Sequence, residues 1–196
     1  MKSILPKKQA AEALIARSIP ILGTAARLLA PEDNLLQVAL HTAKHSYVRA
    51  PGFRLHTDVD RIVRRQTIDW DLFLARTLAL QVKTPVYFSL AIPNALFGTP
   101  IPDRVLPALR PPRWKERLLT RWLNRAGLFN PDECKFSRPG YILFTALLYD
   151  DLSGLWRAVF PERGWMQARY GFRRHWLLPY YHGRRLIDLA FRRVST

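Results

Sequence analysis

The sequence has almost no cysteine: Cys134 is the single thiol in 196 residues. One thiol cannot close an internal disulfide or build a cysteine-rich zinc site, so a reducing, cytoplasmic setting is expected. Acidic residues are scarce too, 15 Asp and Glu against 31 Lys and Arg, for a formal net charge of +16. A field of that sign draws polyanions: nucleic acid, nucleotide phosphates or an anionic membrane surface. After Asp151, only Glu162 and Asp188 oppose a series of arginines from Arg157 to Arg193. The plainest reading of that series is a solvated basic face. No clean signal peptide is visible, because Glu12, Arg17 and Arg27 interrupt the apolar residues that follow Lys2, Lys7 and Lys8. The longest charge-free stretch, Thr84–Pro102, contains Pro85, Pro93, Pro100 and Pro102. A membrane-spanning helix there would be badly broken, so the stretch reads as buried core. A Gly-x-x-x-x-Gly-Lys phosphate loop and a Gly-x-Ser-x-Gly nucleophile turn are both missing. So are internal repeats and low-complexity tracts.

What is present is a core. Hydrophobic residues make up 48%, with six Trp, seven Tyr and ten Phe, enough large apolar surface to offset ordering entropy. Helical patterns dominate. Residues 9–17 suit a short helix, and the short apolar runs around Gly23-Thr24 suggest a small hairpin. Pro31-Glu32-Asp33 is a helix start, with proline in the first turn and acids facing the positive end of the helix dipole. The stripe of Leu35, Val38, Ala39 and Thr42 carries this helix to about Ser46. Leu55, Val59, Ile62 and Val63 predict a second helix to Arg65. A third runs from about Asp69 to about Lys83, and a fourth from Pro85, with Thr84 as its N-cap, to Gly98. Shorter helices follow at Arg104–Leu109, Tyr141–Leu148 and from Asp150 or Asp151 to Phe160. Between Pro112 and Gly127, Arg113–Arg125 forms an amphipathic basic helix. Arg49–Gly52 and Asn130–Gly140 read as loops. Gly171, Pro179 and Gly183 break up the basic, aromatic tail. The tryptophans Trp114, Trp122, Trp156, Trp165 and Trp176 read as core. The expected architecture is mainly α, a helical bundle or array with at most a small N-terminal β-hairpin. The expected division is an N-terminal part, 1–110, and a basic aromatic part, 111–196, or one continuous domain.

Five segments, in order, resemble one family. Leu28–His45 is similar to its "L-S-P-E-D-x-L-L-x-L-x-L-H-x-x-K-H" segment. Phe53–Val59 resembles "L-R-W-L-x-D-I". Ile68–Asp71 resembles a "D-W-D" helix start, Phe97–Pro102 an "L-G-x-P-x-P" turn, and Phe160–Gly171 an "F-P-S-x-x-x-M-x-x-R-Y-G" element. The family is the uncharacterised bacterial nucleotidyltransferases. The resemblance implies nucleotidyl transfer with Mg²⁺ held by an Asp-x-Asp strand upstream of the matching region. No such strand is recognisable here. The chain therefore reads as a truncated or split member that binds acceptor or nucleotide, with Mg²⁺ relevant only if a catalytic core is supplied elsewhere, for instance by a separate catalytic subunit. Asp58-Val59-Asp60 does not replace that strand, because residues i and i+2 of a helix diverge by about 200°.

The expected substrate- or phosphate-contacting residues are His41, Lys44, His45, Asp58 and Arg169. His41 and His45, one helical turn apart, share a face beside Lys44. The local alternative is a packed histidine at a helix end with a solvated lysine. A zinc site on His41, His45 and Asp58 lacks the Glu of the His-Glu-x-x-His pattern, so no metal site is expected. Arg169 and His175 match a loose ribonuclease spacing that this much arginine makes by chance. The expected partner is a nucleotide or another phosphorylated, anionic small molecule. The alternatives are a basic nucleic-acid-binding module and a peripheral membrane module, the latter built on His175–Tyr181 and the arginines after it.

Overall fold

The computed structural model describes residues 7–49, 52–128, 137–172 and 174–191. Parts of two expected loops, at 50–51 and 130–136, lie outside the described residues, as does Cys134. Helix α1 (Lys7–Arg17) leads into an antiparallel hairpin of β1 (Ile19–Pro20) and β2 (Arg27–Leu28), with Ile19 opposite Leu28 and Pro20 opposite Arg27. The other regular elements among the described residues are helices, so the fold is mainly α with one small hairpin, as the sequence predicts. No helix among the described residues is long and apolar enough to cross a membrane.

The N-terminal helices are α2 (Pro31–Lys44), α3 (Phe53–Arg65), α4 (Trp70–Ala79), α5 (Lys83–Phe97) and α6 (Val105–Leu109). Their apolar stripes meet in one core. Leu35, Leu36 and Ala39 of α2 pack with Val59 and Val63 of α3, Val86 and Leu90 of α5, and Val105 and Leu109 of α6. The outer face of α3 keeps Arg54, Arg61 and Arg65 exposed, which is the amphipathic division its spacing predicts. The Ser89 hydroxyl, 2.6 Å from the Ala39 carbonyl, ties α5 to α2.

Beyond these lie α7 (Arg113–Ala126), α8 (Arg138–Leu147), α9 (Leu152–Val159), α10 (Arg163–Tyr170), a 3-10 turn (His175–Leu177) and α11 (Leu178–Phe191). A second core gathers Ala43, Tyr47 and Phe88 with Leu119 and Leu123 of α7, Phe144 of α8 and Leu148 at its C-terminal end. This core joins residues from both sides of position 110.

Four expectations need correction. Helix α4 stops at Ala79, not near Lys83, because Gln81 turns the chain with a φ of 54°. Thr84 is not an N-cap: α5 already begins at Lys83, and the Thr84 N–H donates to Asp150 Oδ1 at 3.0 Å. A carboxylate 66 residues away does the capping. Gly183 does not break the tail, since α11 runs through it, and Pro179 is the second residue of that helix, where a missing N–H costs nothing. Three of the tryptophans read as core are on the surface: Trp114, Trp156 and Trp176 are 60%, 64% and 70% exposed.

Candidate functional site

The last turn of α2 carries the expected cluster. Thr42 and Ala43 are buried, which leaves His41 and Lys44 exposed and His45 half-buried. The His41 and His45 rings meet edge to face, their centroids 4.7 Å apart. Three cationic or ionisable groups at a helix C-terminus also complement the negative end of its dipole, so part of their role is local.

A strained turn fixes where that end points. Ser46 and Tyr47, both buried and neither a glycine, have φ of 53° and 65°. Two successive residues in the left-handed region are costly and persist only where their surroundings hold them. Here the Tyr47 N–H donates to the Thr42 carbonyl at 3.1 Å and the Tyr47 hydroxyl donates to the Pro85 carbonyl at 3.0 Å. His56 Nε2 lies 2.8 Å from the Tyr47 carbonyl. A carbonyl only accepts, so Nε2 carries the proton. Burial lowers the His56 pKa from its ordinary value, partly offset by the bond to Tyr47, and burial pushes the Tyr47 phenol well up.

The other two predicted residues lie elsewhere. Asp58 is half-buried on α3. Asp60 turns to another side, where its carboxylate accepts from Arg64 Nε at 2.9 Å and from the Thr99 hydroxyl at 2.7 Å. The pair therefore does not converge, as the helical geometry predicts. Arg169 is exposed on α10, which packs against α11. The structure thus brings His41 and His45 together and leaves Arg169 on a different helix pair.

At the opposite end of the α2–α3 pair is an open groove of about 490 Å³, which the sequence reading did not find. Ile19, Leu28, Leu29 and Pro31 form its apolar side, and Arg27, Asn34, Gln66 and Thr67 its polar side. The Asn34 amide donates to Gln66 Oε1 at 3.4 Å, and the Arg27 guanidinium donates to the Ser18 hydroxyl and carbonyl at 2.6 Å each. A second hollow, sharing Gln66, is lined by Arg61, Ile62 and Arg65. The hairpin was expected, but the wall it would form against α3 depends on tertiary placement.

The acids Glu32 and Asp33 belong to the scaffold. Both are buried. Asp33 receives Arg17 at 2.9 Å and Arg76 at 3.1 Å, while Glu32 lies 3.7 Å from Arg76 and accepts the Asp69 N–H at 2.9 Å. Read from sequence as acids facing a helix dipole, they lock α1 and α4 onto the start of α2. They are too fully engaged to bind Mg²⁺. Among the described residues no group of three or more His, Cys, Asp or Glu is placed to hold a metal ion. The described side chains thus do not fit the metal that the resemblance implies.

Comparison with known proteins bears on this half of the chain. The profile of the family described as uncharacterised nucleotidyltransferase matches residues 3–98. The N-terminal half of the chain is similar to that family. The matched segment takes in the hairpin, the His-x-x-Lys-His turn, the groove and the buried acids. Three of the five resembling stretches, Leu28–His45, Phe53–Val59 and Ile68–Asp71, lie inside it. Phe97–Pro102 begins in its last two residues, and Phe160–Gly171 lies beyond it. No curated protein and no solved structure matches the chain.

Proposed function

We propose that this chain is the nucleotide- and acceptor-binding part of a nucleotidyltransferase system, and that transfer needs carboxylates supplied by a separate catalytic subunit. The observation that carries the reading is the groove in the matched segment. Its apolar wall of Ile19, Leu28 and Leu29 suits the face of a base, and the Asn34 and Gln66 amides suit its hydrogen-bonding edge. Arg61 and Arg65, at the adjoining hollow, are placed for the phosphates. His41, Lys44 and His45, at the far end of the same helix pair, are contacts for an anionic acceptor. Asp58 and Arg169 are weaker contacts, because neither shares that end's last turn.

Titration calorimetry with ATP, GTP, CTP and UTP tests the binding half of the proposal. One of the four should bind, and the double variant Arg61→Glu with Arg65→Glu should weaken it at least tenfold, about 1.4 kcal/mol. If no nucleotide binds at millimolar concentration, the groove has been misread. The other half is tested with radiolabelled triphosphates and Mg²⁺: robust label transfer by the chain alone would overturn the claim that it needs a catalytic partner.

A further inference from the structure

Helix α7 lies outside the matched segment, and its outer face has no part in the groove. Arg113, Arg117, Arg121 and Arg125 recur every fourth residue along it, and all four are exposed. At about 1.5 Å of rise per residue, successive guanidinium groups are about 6 Å apart along the axis and the row spans about 18 Å. None of the four forms an ion pair among the described residues. The one acid of α7, Glu116, is turned inward. It accepts from the Tyr87 hydroxyl and, at 2.8 Å, from Arg110 Nε. The Arg110 hydrogen bond holds its carboxyl below the usual range. Glu116 acts on Arg113 only through space, so among the described residues the outer face is cationic with no ion pair to its four arginines.

Two features separate this face from an ordinary solvated one. Arg113 and Arg117 sit in or next to the first turn, at the positive end of the helix dipole, where cations destabilise a helix. Trp114, 60% exposed, lies between the helical azimuths of Arg117 and Arg125, close to that of Arg121. A tryptophan held in water among arginines offers a stacking surface for a flat ring. A membrane-lying helix would need a broad apolar face opposite its cations. Here the side opposite the arginines carries Leu119, Leu123 and Ala126, all buried in the second core.

We propose that the outer face of α7 binds single-stranded nucleic acid, its four arginines tracking successive phosphates while a base stacks on Trp114. The partner is a single strand because a base within a duplex has no free face to offer the indole. Binding is non-specific in sequence, since the face provides phosphate contacts and one stacking surface.

The test is fluorescence anisotropy of the full chain with labelled 20-nucleotide single strands of RNA and DNA, across a salt series. With about 0.7 counterions released per phosphate contact, the slope of log K against log salt should approach −3 for four contacts. The double variant Arg117→Gln with Arg121→Gln should reduce its magnitude by about 1.4. Trp114→Ala should weaken binding at least fivefold, about 1 kcal/mol, and leave the slope unchanged. Circular dichroism checks that both variants keep their helix content. Binding by one sugar type alone would still support the proposal and name the strand. Three results would overturn it: no binding at 50 mM salt, variants that bind like the parent, or capture by anionic phosphatidylserine vesicles with no binding to either oligonucleotide.

Discussion

Replacing Arg76 by methionine will lower folding stability by about 3–5 kcal/mol, because removing one partner of a buried ion pair strands the other charges. Arg76 reaches from α4 to Asp33 at 3.1 Å and to Glu32 at 3.7 Å, and both carboxylates are shut away from water. Methionine matches the aliphatic length of arginine, so little of the effect comes from lost volume. Arg17 also holds Asp33, but its side chain is 39% exposed. An Arg17→Met variant should therefore lose about 1 kcal/mol or less. Urea denaturation of both variants at neutral pH measures the contrast. An Arg76 variant no less stable than the Arg17 variant would show that the buried acids do not depend on α4.

The second large effect concerns acid. His56 is neutral in the folded chain: Nε2 donates to the Tyr47 carbonyl, and Nδ1 is buried without a partner. Protonating Nδ1 would bury an unpaired charge, which is why the folded pKa falls below the ordinary value. The unfolded chain binds that proton at about pH 6.5. Below that pH the unfolded state holds more protons than the folded one, so stability must fall as the solution is acidified. His56 contributes fully above pH 6.5, and its contribution declines from there down to its lowered folded pKa. His56→Gln keeps an N–H for the Tyr47 carbonyl and cannot titrate, so its stability should stay flatter from pH 6.5 to 5. His56→Ala leaves the carbonyl unsatisfied and should lose about 1–3 kcal/mol at neutral pH, plus a cavity contribution, a deficit that narrows as the pH falls. Thermal melts across this pH range decide it. Parallel acid slopes for the parent and the Gln variant would remove His56 as the titrating group.

Helix positions were largely legible in the sequence because they depend on local signals. Pro31 with two acids marks a start, the spacing of Leu55, Val59 and Val63 marks a buried stripe, and Gly98, with φ of 59°, marks a stop. The departures occur where a distant residue intervenes. Thr84 has the chemistry of an N-cap, yet Asp150 caps the helix, and no window of sequence joins the two. Glu32 and Asp33 have first-turn chemistry, but Arg76 and Arg17 make them a junction. The tryptophans were misread because residue type alone does not say which side of a helix faces water. At the candidate site, the pairing of His41 with His45 followed from helical spacing. The groove did not, since its walls come from β1, β2, the start of α2 and the turn after α3 and exist only once those elements pack.

The capping of α5 by Asp150 bears on how this protein can be cut. The carboxylate that closes the first turn of α5 comes from the far side of α7 and α8, and beside it the buried Lys115 ammonium donates to the Tyr149 carbonyl at 2.7 Å. A fragment ending near residue 110 would lose this cap and would uncover Tyr47 and Phe88, whose rings rest against Phe144 and its neighbours. Limited proteolysis should accordingly yield no stable species bounded by the family segment. The evolutionary unit and the folding unit have different edges.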